Sequence, residues 1–245
     1  MVLREFRGQY FETSKLQVYT LGDAIPCMRI AIFGATGRTG YPLVEQAIER
    51  GHEVVAFVRD ETGLSSTLRN DDRVRVVEGD AYTGEGVERA VAGDGDPVDA
   101  VVSVLAQSSN GPDDLLTEAG RHILSAMSQH GVERVVTLVG AGVREEGESV
   151  SLGGRMMGAL LKLLARSVLE DARDQVQLVK DSDTRWTVVR GPRLTEDART
   201  GEFRHGLDFS LGMRDTAARA NVAEFILDCL EDDLYVREMP KVADA

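Results

Sequence analysis

The residues best suited to do chemistry in this sequence are Gly34, Ala35, Thr36, Gly37, Arg38, Thr39 and Gly40, with glycines at three-residue spacing. Before them, Ile30, Ala31, Ile32 and Phe33 form a short apolar run, the pattern of a strand buried on both faces. After them, Leu43, Val44, Ala47 and Ile48 fall on one helical face, with Pro42 in the first turn and Gly51 at the end. Strand, glycine turn and helix in that order make a phosphate site. Gly34 permits the tight turn, Gly37 lets a diphosphate approach the backbone, and Gly40 lets the helix pack close to the strand. The free N–H groups of the first helical turn, at the positive end of the helix dipole, then face the anion. A plain turn into a surface helix is the alternative, but the flanking pattern on both sides points to a dinucleotide.

In an open parallel sheet the ligand lies at the carboxyl ends of the strands, so the residues that finish each strand are the next candidates. Strand two, Val54–Val58, ends in Arg59 and Asp60. A guanidinium there favours a ribose 2′-phosphate through a charge-assisted contact, with Arg38 as a second clamp. The expected cofactor is therefore NADP(H), with NAD(H) as the lesser choice; the alternative is that Arg59 pairs with Asp60 or another acid. Strand three, Val74–Val77, leads to Asp80 and Ala81, where the adenine is flanked, unless Asp80 simply caps a turn. After strand four, Ala100–Leu105, the small apolar Leu105 and Ala106 suit the nicotinamide ribose. Strand five, Arg134–Val139, ends at Gly140, and strand six, Trp186–Arg190, is followed by Arg193, placed to orient an acidic acceptor or a cofactor phosphate. Pairing of Arg193 with Glu196 or Asp197 is the other reading.

The catalytic group is not identifiable. Lys162 and Lys180 have Gly158 and Val176 four residues before them, so the Tyr-x-x-x-Lys pair of ordinary short-chain dehydrogenases is absent. Thr137 stands earlier in strand five than a catalytic hydroxyl would. The four histidines, His52, His122, His130 and His205, show no metal-ligand spacing, and no metal is expected.

The elements that must position these residues alternate strand and helix from Met28 onward. Helices are expected over Gly86–Ala92 and Leu115–His130, the latter stopped by Gly131. This alternation predicts an α/β fold with a doubly wound parallel sheet and right-handed crossovers, in one Rossmann-type domain over residues 28–245. Beyond strand five the rhythm changes. A polar loop from Arg144 to Gly154 precedes an apolar helical region, Met156–Leu169, and a second helix from about Ala172 to Lys180. The tail carries a short strand near Phe203, a helix over Arg219–Leu230 and a last strand near Tyr235 and Val236. Residues 1–27 fit no part of this pattern. They read as an extension, either an upstream start or a weakly ordered tail.

The net charge of −13 argues against nucleic acid and anionic membrane surfaces as partners. Lys15, Lys162, Lys180 and Lys241 are the only lysines among 28 basic residues, a composition of salt-in halophiles or of an Arg-favouring genome. Cys27 and Cys229 form no framework and fit a cytoplasmic protein with free thiols.

The glycine turn is not the GxGxxG of most dehydrogenases. Together with Val58–Asp60, Trp186–Thr195, Thr200–Gly201 and Arg219–Leu227 it resembles the NmrA-like, biliverdin reductase B-like branch of the atypical short-chain dehydrogenase/reductases, over most of residues 28–240. The resemblance implies NADP(H) at the glycine turn and at Arg59, and hydride transfer to a small flavin, quinone or carbonyl acceptor. It implies equally an alternative, a non-catalytic NADP(H) sensor like the NmrA regulators. Biliverdin reductase B has a Ser after strand five and a His after the Pro of strand six. Gly140 and Arg193 stand at those places here, so biliverdin reduction is not carried over. A sugar-nucleotide epimerase is disfavoured by the missing Tyr-x-x-x-Lys pair.

Overall fold

Strand β1 (Arg29–Phe33) lies in the middle of the sheet, and its apolar residues are fully buried. In the computed structural model, which describes residues 27–107, 111–145, 166–212 and 214–245, it pairs in parallel with β2 (Glu53–Val58) on one side and with β4 (Ala100–Ser103) on the other. Outward from β2 lies β3 (Val74–Glu78); outward from β4 lie β5 (Arg134–Gly140) and β6 (Arg185–Gly191). All of these pairs are parallel, which gives the doubly wound Rossmann-type order 3-2-1-4-5-6. Two late strands extend that side: β10 (Lys241–Asp244) joins β6 in parallel, and β8 (Phe203–Gly206) joins β10 antiparallel. A separate parallel pair joins β7 (Arg193–Thr195) to β9 (Thr216–Ala218).

Alternation along each strand sends side chains into two cores. Ile30, Ile32, Val54 and Val102 face helices α1 (Gly40–Glu49) and α6 (Arg219–Glu231). Ala31, Phe33, Val101 and Val135 face α3 (Val87–Ala92), α4 (Leu115–His130) and α5 (Arg166–Lys180). A one-turn helix, α2 (Ser66–Arg69), sits on the path from β2 to β3. No helix of the described residues is long and apolar enough to cross a membrane.

Several elements differ from the sequence reading. The helix expected from Ala172 begins at least as early as Arg166 and is continuous past Val168 and Leu169. Strand four ends at Ser103 rather than Leu105. The last strand is not at Tyr235 and Val236: Asp233, Tyr235 and Arg237 have φ of 50°, 54° and 63°. Backbone in that left-handed region cannot run as a strand, and the strand forms at Lys241–Asp244 instead. The extension at residues 1–26, Met156–Leu164 and most of the loop from Arg144 lie outside the described residues.

Cys229 is fully buried in α6, and burial pushes its thiol well above the ordinary cysteine range. Cys27 is exposed. A thiol reagent is expected to label Cys27 alone in the native protein and Cys229 only after unfolding, as read by mass spectrometry.

Candidate functional site

The turn that follows β1 folds as its glycines require. Gly34 has φ of +91°, a backbone that side chains rarely adopt. Its carbonyl accepts from the Gly37 amide at 2.8 Å, and the Gly37 carbonyl accepts from the Tyr41 amide at 2.9 Å, closing into α1. A Cβ on Gly40 would collide with the Gly34 carbonyl, and one on Gly37 would lie 3.0 Å from it. The amides of Thr36, Arg38 and Thr39 find no acceptor among the described residues. They sit at the start of α1, where the dipole favours an anion.

This turn forms one wall of a cleft of about 660 Å³ at the carboxyl ends of the strands, within the ~300–1,000 Å³ usual for ligand sites. The cleft gathers Gly34, Thr36, Gly37, Arg38 and Thr39 from the turn, Arg59 from just after β2, Asp80 and Ala81 from just after β3, Leu105 and Ala106 from just after β4, and Gly140 from the end of β5. Ala35 and Gly40 are buried behind the wall. Arg193 is exposed and outside the cleft: its neighbours Pro192 and Leu194 line it, and period-two alternation turns Arg193 the other way. It makes no ion pair with Glu196 or Asp197.

Arg59 is exposed and has no hydrogen bond or ion pair among the described residues. Asp60, its partner in the alternative reading, is occupied elsewhere. Its carboxylate accepts from the Thr62 hydroxyl at 2.7 Å and the Thr62 amide at 2.8 Å, capping the one-turn 3₁₀ helix Glu61–Gly63. Those bonds hold the Asp60 carboxyl below the usual range. Asp80 accepts from the Tyr82 amide at 2.9 Å, so it closes a turn as well as facing the cleft.

Arg219, the first residue of α6, also lines the cleft although it stands 180 residues from Thr39. Its Nη1 donates to the Thr39 hydroxyl at 3.0 Å and its Nε to Glu196 at 2.9 Å. In the sequence the run from Arg219 stands only as part of the family resemblance; nothing local marks it as a neighbour of the glycine turn. Val168, from the expected apolar helical region Met156–Leu169, lines the cleft, and Tyr82 and Ala172 are further lining residues that nothing in the sequence singles out.

The other half of the cleft is apolar. Leu115 from α4, Leu138 and Val139 from β5, Val168 and Ala172 from α5, and Pro192 and Leu194 after β6 surround it. Thr137 does not reach this space. It is 1% exposed, accepts from Gln175 Nε2 at 3.3 Å and donates to the Ser103 carbonyl at 3.4 Å. The wall is held by a buried carboxylate: Asp171 on α5 accepts from the amides of Leu116 (2.8 Å) and Thr117 (2.9 Å) and from the Thr117 hydroxyl (2.7 Å). It thereby caps α4, whose own Asp114 gives no side-chain cap.

A family model described as NAD(P)H-binding matches residues 34–233. YwnB of Bacillus subtilis, an uncharacterized protein, is 29% identical over 187 residues, 74% of this chain and 80% of its own length. A short-chain dehydrogenase/reductase from Veillonella parvula, solved in complex with NADP, has a TM-score of 0.72 at 19% identity, over 89% of this chain and 94% of that one. ChuY from Escherichia coli O157:H7, described as an anaerobillin reductase, has a TM-score of 0.71 at 19% identity, over 88% and 97% of the two chains. These two likenesses are of fold.

Proposed function

The chain belongs to the NAD(P)H-binding family, as its resemblance to NmrA-like short-chain dehydrogenase/reductases implies, and from that premise we propose that it is an NADP(H)-dependent oxidoreductase with a small, flat, conjugated acceptor. The observation that carries the choice of cofactor is the guanidinium of Arg59 after β2, without a partner among the described residues, with Asp60 turned away into its own cap. A free guanidinium beside the adenosine ribose is a ready partner for a 2′-phosphate. The amides of Thr36, Arg38 and Thr39 take the diphosphate; Asp80 and Ala81 flank the adenine.

When bound, the dihydronicotinamide supplies the hydride. The chain supplies orientation and a dry wall: Leu105 and Ala106 hold the ribose side, while Leu138, Val168 and Leu194 exclude water from the acceptor. Flavins and quinones suit this wall better than simple carbonyl compounds. Their reduced rings take the accompanying proton from solvent, so no side-chain proton donor is required of this wall.

The test is a titration with NADPH and NADH, then a panel of flavins and quinones followed by the loss of reduced-nicotinamide absorbance. Arg59→Gln is expected to weaken NADPH about tenfold or more while leaving NADH unchanged, the mark of a lost charge-assisted phosphate contact. Equal weakening of both would remove the 2′-phosphate role.

A second reading is a sensor that binds NADP(H) without turnover. It is favoured by Gly140 at the end of β5 and by the burial of Thr137, which together leave no hydroxyl from that strand in the cleft. Tight binding with no turnover on any acceptor would select it.

A further inference from the structure

One carboxylate holds two of the guanidiniums that line the cleft. Glu196 Oε1 accepts from Arg219 Nε at 2.9 Å and lies 3.4 Å from Arg38 Nη1. Arg219 is fixed in turn on Thr39, the residue that precedes the first turn of α1. The glutamate comes from the irregular segment between β7 and β8, and its side chain is 60% exposed against 14% for Arg219. It is therefore an outer group resting on an inner one, free to swing into solvent without opening the core. A carboxylate between two guanidiniums beside a helix N-terminus has the charge and the bonding pattern of a bound anion.

We propose that Glu196 is an internal stand-in for the diphosphate: it neutralises Arg38 and Arg219 in the free protein and leaves them when a dinucleotide binds. The proposal rests on the reading that the cleft takes NADP(H). Tethered by its own backbone, the carboxylate competes at an effective concentration of order millimolar or above. A ligand carrying a single carboxylate offers these arginines nothing that Glu196 does not already give, and so gains little by replacing it. A diphosphate brings two charges and more acceptor oxygens, and wins the exchange. Glu196 thus lowers affinity by the same factor for every anion that must displace it, so that at a given concentration a diphosphate still fills the site where a single carboxylate no longer does.

The experiment is calorimetric titration of NADPH, and separately of inorganic pyrophosphate, into the wild type, Glu196→Gln and Glu133→Gln. Glu133 is exposed and precedes β5, at the end of the sheet opposite the cleft, so its variant carries the same change in net charge elsewhere. Glu196→Gln is expected to bind both ligands about three- to tenfold more tightly, the scale of one or two exposed ion pairs, with Glu133→Gln unchanged. Unchanged or weaker binding by Glu196→Gln would overturn the proposal, since the glutamate would then be a spectator or a positioner of Arg219. Equal tightening in Glu133→Gln would overturn it too, by tracing the effect to net charge. If the wild type binds neither pyridine nucleotide, it is the reading of the cleft that fails, and the pyrophosphate arm alone decides the exchange.

Discussion

Gly37→Val is expected to weaken dinucleotide binding by about a hundredfold or more in a protein that still folds, whereas Gly40→Ala is expected to lose the fold. The two glycines stand three residues apart in one turn, and the difference follows from what surrounds each. A side chain on Gly40 would run into the Gly34 carbonyl, with Ala35 Cα also only 2.9 Å away. Those are backbone atoms at the junction of β1 and α1, where Gly34 already holds φ of +91°. Nothing there can yield without separating helix from sheet, a change in the class of overpacking that costs several kcal/mol. At Gly37 the only near atom among the described residues is the Gly34 oxygen, at 3.0 Å, and the space beyond is the cleft. The branched side chain of valine would occupy the ground where a diphosphate meets the Thr36, Arg38 and Thr39 amides. Circular dichroism melts alongside NADPH titrations separate the two outcomes. A folded Gly37→Val with unchanged affinity would place the diphosphate elsewhere.

Asp171→Ala should lower stability by about 3 kcal/mol, because two buried amides and a hydroxyl at the start of α4 lose their acceptor together. For a domain of this size that corresponds to a fall of roughly 6–12 °C in Tm. Asp171→Asn, which keeps one acceptor oxygen, should lose less. The same carboxylate sets the spacing between α4 and α5, which present Leu115 on one side of the apolar half of the cleft and Val168 and Ala172 on the other. Acceptor KM should therefore rise more than NADPH Kd in any variant that remains folded. A variant as stable as the wild type would mean that water replaces the cap.

The parts of this protein that could be read from its sequence are those whose cause is local. The strand, glycine turn and α1 lie within about twenty residues, and the hydrophobic face Leu43, Val44, Ala47 and Ile48 is buried as its spacing requires. Helix α4 runs over Leu115–His130 as expected, because Gly131, at φ of +70°, ends it by a backbone rule. What could not be read depends on distant pairings. Asp171 and the amides it caps are about 54 residues apart in the chain. Arg219 reaches Thr39 only because α6 packs beside α1. Tyr235 and Val236 have the composition of a strand, and only the left-handed backbone on either side of Val236 excludes it. The place of Arg193 after strand six points to the cleft, yet direction, not proximity, decides which residues of β7 face a ligand.

The way the sheet is finished bears on how the chain assembles. Strand β8 sits at the margin of the sheet and its partner there is β10, with Phe203–Gly206 set against Lys241–Asp244. Asp244 also anchors the start of α6, accepting from the Ala218 amide and from Asn221. The six strands of the 3-2-1-4-5-6 core all precede β10, and without β10 the strand β8 has nothing in the sheet to pair with. Until β10 pairs with it, β8 is an unprotected edge open to intermolecular pairing, so a folding intermediate that holds only the 3-2-1-4-5-6 core is exposed to aggregation at that margin.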